Sequence, residues 1–140
     1  MSASVRLASA IAFPGAALIV VGTFVPVNGG GDFGYRYAIF DRSLGQPTLL
    51  LVALQPLAVA LSATLVMILL ARRAPTLSAG LMIALGFQTL VFFAAYVFGA
   101  VFGSATYDSF APGGVLGAVG AGFLLLAGLV LGTACARRRA

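Results

Sequence analysis

The chain lacks histidine, lysine, glutamate and tryptophan altogether, has one cysteine, and only 8% of its 140 residues are charged. Each absence closes a class of function. With no imidazole to take a proton, the serine, tyrosine and cysteine side chains lose the usual base of a nucleophile–base pair. Three aspartates without histidine or glutamate make a poor metal cage, and no cofactor is expected. The lone Cys135 excludes an intramolecular disulfide and any multi-cysteine metal site, and reads as a small packing residue. The chain is accordingly expected not to be an enzyme.

The scarcity of charge also has a location. No Asp, Glu, Lys, Arg or His interrupts any of the long apolar runs, so the intramembrane carboxylate on which small proton-coupled exporters depend is missing. With 61% apolar residues, the composition lies outside the range of a soluble domain of this size, and the solvent it calls for is a lipid bilayer.

Where charge does occur, it punctuates the chain. Arg72 and Arg73 form the only charged break between two long apolar tracts, and they hold their turn on the cytoplasmic side. Counting outward from that turn gives four spans, at about 7–27, 47–71, 77–103 and 113–136. The cytoplasmic turn is then 72–76, and the outer loops are 28–46 and 104–112. In this arrangement Arg6, Arg72, Arg73, Arg137, Arg138 and Arg139 lie inside, whereas Arg36, Arg42 and all three aspartates, Asp32, Asp41 and Asp108, lie outside. Such segregation predicts an all-α integral membrane protein, a four-transmembrane-helix bundle forming one domain with both termini cytoplasmic. The basic excess is thus a mark of topology, and no nucleic-acid partner is expected. A bias toward Ala, Gly, Val and Arg suggests a GC-rich bacterial genome, and hence the bacterial cytoplasmic membrane.

The first apolar run, Leu7 to Val27, could pass for a signal peptide, but it is long enough to span and no small-x-small cleavage pattern follows it, so it is read as a retained span. Pro14 either kinks that helix or marks its start. Pro47 suits the first position of the second helix, and Pro56 should kink it. Thr76 or Ser78 can cap the third helix. The tracts Pro47–Ala71 and Pro112–Ala136 have equal length and each ends on arginines, which hints at a parallel internal duplication, although bilayer thickness alone would set the same length. Pairs of glycines four apart, Gly99/Gly103, Gly113/Gly117 and Gly128/Gly132, point to close helix contact within the chain.

Two places carry polar chemistry. The longer outer loop alternates Phe33, Tyr35, Tyr37 and Ile39 with Asp32, Gly34, Arg36 and Ala38, the period of a strand with one apolar face, and predicts a short β or irregular cap shared with the second loop. Asp32, Phe33, Tyr35, Arg36, Tyr37 and Asp41, with Tyr107 and Asp108 of the second loop, are its candidate recognition residues; tyrosines at a membrane interface would give the same pattern without function. Within the spans, Gln55 and Gln88 place amides at similar depth, with Tyr96 nearby. Both amides are expected to face the bundle interior, because an unpaired polar group in hydrocarbon costs on the order of a few kcal/mol.

The four-span plan with a longer first outer loop resembles that of tetraspan proteins such as claudins. The tryptophan and paired loop cysteines of that group are absent, and no function is carried over. Two functions remain open. The first is a structural or accessory subunit that packs against another membrane protein or itself. The second is a conduit or binding module for an apolar or neutral solute, lined by Gln55, Gln88, Thr89 and Tyr96.

Overall fold

The structure, a computed structural model, describes residues 3–29, 36–38, 47–102, 109–110 and 112–137, and the side-chain environments of 3–25, 54–94 and 112–137. Four helices dominate: α1 (Ala3–Phe24), α2 (Pro47–Leu65), α3 (Pro75–Phe102) and α4 (Pro112–Arg137). Three stretches, Ala3–Phe24, Pro75–Ala94 and Pro112–Arg137, are long and apolar enough to cross a bilayer, and Leu54–Leu70 is a shorter apolar helix. The architecture is that of an all-α membrane bundle.

Several boundaries differ from the sequence expectation for local reasons. Helix α1 begins at Ala3, so Pro14 lies in its interior and does not mark its start. The helix stops at Phe24 because the chain enters a strand at Pro26. Helix α3 begins at Pro75, whose fixed φ and missing N–H suit the first helical position. Ser78 consequently does not cap it: its amide and its hydroxyl both donate to the Ala74 carbonyl, at 2.9 and 3.1 Å. Helix α2 ends in a wide π-helical turn, Val66–Leu70, where the Ala71 amide reaches back five residues to the Val66 carbonyl at 3.0 Å. The chain then turns through Arg73 and Ala74, whose amides both donate to the Leu70 carbonyl.

At the end of the bundle away from Arg72, Arg73 and Arg137, the connections form a small antiparallel sheet of β1 (Pro26–Gly29), β2 (Arg36–Ala38) and β3 (Ser109–Phe110). Strand β1 is central, and Asn28 pairs with Tyr37 on one side and with Phe110 on the other, with a bulge between Pro26 and Asn28. The two long connections therefore share one ladder, which ties the end of α1 to the start of α4. The strand register expected from the alternation covers Arg36–Ala38, while its earlier half, including Phe33 and Tyr35, falls outside the described residues.

Helix α4 is the centre of the bundle, packed extensively against both α1 and α3, while α2 leans on α1 and touches α3 sparsely. Small residues make this possible. The buried stripe of α1 runs Val5, Ala8, Ala12, Gly15, Ala16, Ile19, Gly22 and Thr23, at helical spacing. It meets Gly113, Gly117 and Gly120 of α4 so closely that a methyl group on Gly22 would lie 2.7 Å from the Gly113 carbonyl, and one on Gly120 would lie 2.6 Å from the Gly15 carbonyl. On the other side of α4, Gly128 receives Ala79 and Ile83, and Gly86 of α3 sits against Ala121 and Leu125. Phe93 of α3 is 0% exposed, lies edge-on to Phe92 with centroids 5.3 Å apart, and fills the space over Gly117. Of the glycine pairs read from the sequence, Gly113/Gly117 lies in the α1–α4 contact; Gly128 is tight but Gly132 is not, and Gly103 is outside the described residues. The hint of duplication finds no equivalence in packing, since α4 is the centre and α2 the periphery.

Candidate functional site

In an apolar bundle, a candidate site is wherever polar chemistry departs from simple helix packing. Most described hydroxyls do not. Buried Thr23 and Thr89 each donate to the carbonyl four residues back, Ile19 and Leu85, at 2.8 Å; Ser9, Thr64 and Thr133 do the same from less buried positions. These groups are satisfied inside their own helices.

The two amides are different. From the helical rise of ~1.5 Å per residue, Gln88 lies about 20 Å along α3 from Pro75, and Gln55 lies about 22 Å from the end of the π turn, so their depths are indeed similar. They do not meet as expected. Gln55 is half-buried beside the fully buried Pro56, whereas Gln88 is exposed on the outside of α3. No hydrogen bond joins either amide to a described residue. The reason lies in the face α3 turns toward α4. Ser78, Ala79, Met82, Gly86, Thr89 and Phe93 form its buried stripe, so Gly80, Ala84, Phe87, Gln88 and Val91 are left on the opposite side. Thr89, the neighbour of Gln88, is the residue that turns inward. The sequence did hold a signal for this: once Gly86 is assigned to a helix contact, the 3.6-residue period puts Gln88 about 150° away from the inward direction set by Gly86 and Phe93.

The backbone of Tyr96 lies in α3, and its side chain, with the expected bond to Gln55 or Gln88, falls outside the described region. At the sheet, Arg36 and Tyr37 lie on β2, paired with Gly29 and Asn28. Asp32, Phe33, Tyr35, Asp41, Tyr107 and Asp108 fall outside the described residues, as do Arg138 and Arg139. Arg72, Arg73 and Arg137 are exposed, all at the end of the bundle opposite the sheet, together with Arg6. Cys135 is half-buried in the last turns of α4. Among the described residues no group of three metal-ligating side chains is close enough to hold an ion.

Ile83, Phe87 and Val91 are exposed on the face of α3 that carries Gln88, with Phe87 reaching 62%, and elsewhere on the bundle so are Leu77, Leu61, Leu65, Ile68 and Leu69. Apolar surface of this extent belongs in lipid. No protein-family model matches the chain, and no curated protein matches its sequence.

Proposed function

We propose that the protein is a non-enzymatic structural or accessory subunit that assembles with membrane helices, lying in a bacterial cytoplasmic membrane with both termini on the cytoplasmic side. The orientation rests on the arginines, which cluster at the end of the bundle away from the sheet. The observation that carries the function is Gln88, an amide exposed near the middle of α3 on a face that is otherwise apolar. In lipid such a group has neither water nor, among the described residues, a protein partner. Its desolvation costs on the order of 2–7 kcal/mol when unpaired, and a helix docking against α3 would recover part of that.

The solute reading receives less support. Gln88 faces away from the interior, and the Thr89 hydroxyl is occupied by the Leu85 carbonyl, so two of the four residues proposed to line a cavity do not offer free polar groups to one. The recognition role of the outer loops stays with the sheet that joins them, with Arg36 and Tyr37 on its edge strand.

Isolation from native membrane in mild detergent tests the proposal. The expected result is a complex of fixed stoichiometry that Gln88→Leu disperses without lowering the melting temperature of the bundle itself. A lone protein whose melting temperature rises with an added neutral or apolar solute, following RT ln(1 + [L]/Kd), would overturn it.

A further inference from the structure

We infer that the partner at Gln88 is a second copy of this chain, docked along the stripe Gly80, Ala84 and Gln88 of α3. The inference rests on the assembly reading above and names the occupant. Its first support is the chemistry of the group itself, since a primary amide is both donor and acceptor and is therefore complementary to another of its kind. Its second is depth. Two copies inserted in the same sense are related by a two-fold axis along the membrane normal, so each residue meets the other copy at its own level. Gln88 of one copy then finds Gln88 of the second at a depth where an unrelated partner helix would need a polar group placed to match.

The stripe also permits the approach. Gly80 is exposed with nothing within 4 Å of where a side chain would begin, and Ala84 is exposed one turn further on, so two α3 helices can close until the amides reach each other. Positions four apart drift by about 40° per step around a helix, which suits the right-handed crossing of about −40° seen where small residues line a membrane contact. Phe87 and Val91 would flank the contact with apolar surface they already expose. None of these residues belongs to the α1–α4 or α3–α4 interfaces, so dimerisation asks nothing of the core.

The test is association in liposomes at decreasing protein-to-lipid ratio, read by energy transfer between copies carrying different dyes. Wild-type protein should associate, Gln88→Leu should raise the dissociation constant roughly 3- to 30-fold, and Gly80→Ile should raise it further by blocking the approach. Neither variant should melt below the wild type in detergent, since neither side chain touches the core. In a Cys135→Ala background, Ala84→Cys and Gln88→Cys should cross-link between copies, and Leu126→Cys, exposed on α4, should not. Association indifferent to both α3 substitutions, or equal cross-linking at Leu126→Cys, would overturn the inference. A chain that stays monomeric but holds a different protein in a Gln88-dependent way would also overturn it, while leaving the assembly reading intact; a monomer that holds nothing would end both.

Discussion

Adding one methyl group at Gly120 should separate α1 from α4. In the structure a Cβ at this position would lie 2.6 Å from the Gly15 carbonyl oxygen and 2.9 Å from the Ile19 amide nitrogen, both backbone atoms that no rotamer change can move. Ordinary contact needs about 3.4 Å or more, so the two helices must part by somewhat under ~1 Å. At a shift of 0.5–1 Å each atom pair across the interface loses about a quarter to a half of its attraction of ~0.1–0.2 kcal/mol, and on the order of twenty such pairs gives a loss of about 0.5–2 kcal/mol. Alanine also favours the helix over glycine by up to ~1 kcal/mol, which would mask part of that loss in a single measurement. Gly122 removes the ambiguity. It lies in the same helix two residues away with nothing within 4 Å of its would-be side chain, so Gly122→Ala gains the same propensity without the clash. The difference in unfolding free energy between the two variants, measured by SDS titration in mixed micelles and followed by helicity, should therefore be the packing loss alone, with Gly120→Ala the less stable by about 0.5–2 kcal/mol. Equal stability of the two variants would mean that α1 and α4 are not in backbone contact, and the description of the core would be wrong.

Phe93→Ala should be among the most damaging single changes, because the ring is wholly buried and fills the space over Gly117; a loss of about 3–5 kcal/mol in the same titration is expected, against little change for the exposed Phe87→Ala. For topology, a cysteine introduced at Ser109, on β3, in a Cys135→Ala background should react with a membrane-impermeant thiol reagent from outside the cell, and one at Ala74 should not; labelling at Ala74 in intact cells would reverse the orientation.

The number and approximate length of the helices were legible because hydrocarbon imposes them: an apolar run of about twenty residues without charge has one stable conformation in lipid, and the prolines at 47 and 112 mark two of the starts. The arrangement of those helices was less legible. Apolar residues cover every side of each helix, so the inward face is not set by hydrophobic periodicity as it would be in water. Size sets it here. The buried stripes of α1 and α4 are distinguished by alanine and glycine, and the outward faces by Leu, Phe and Val, which is the reverse of the large-inside pattern of a soluble core. Along α3 volume alone does not separate the faces, since Ala79 and Gly86 meet α4 while the equally small Gly80 and Ala84 are exposed.

That same logic explains why Gln88 was expected inside and stands outside. A polar group in lipid turns toward protein, and within a single chain the only protein is the bundle itself. The structure keeps the inward positions of α3 for groups that allow α4 to approach: Gly86 has no side chain, Thr89 folds its hydroxyl back onto Leu85, and Phe93 occupies the hollow left by Gly117. A glutamine at position 86 or 89 would hold the two helices apart, whereas at 88 it costs the bundle nothing sterically. The desolvation penalty at 88 remains, and the fold offers it no relief among the described residues. A polar group kept out of the α3–α4 contact and held in hydrocarbon by its depth is what the proposed docking of another helix would satisfy.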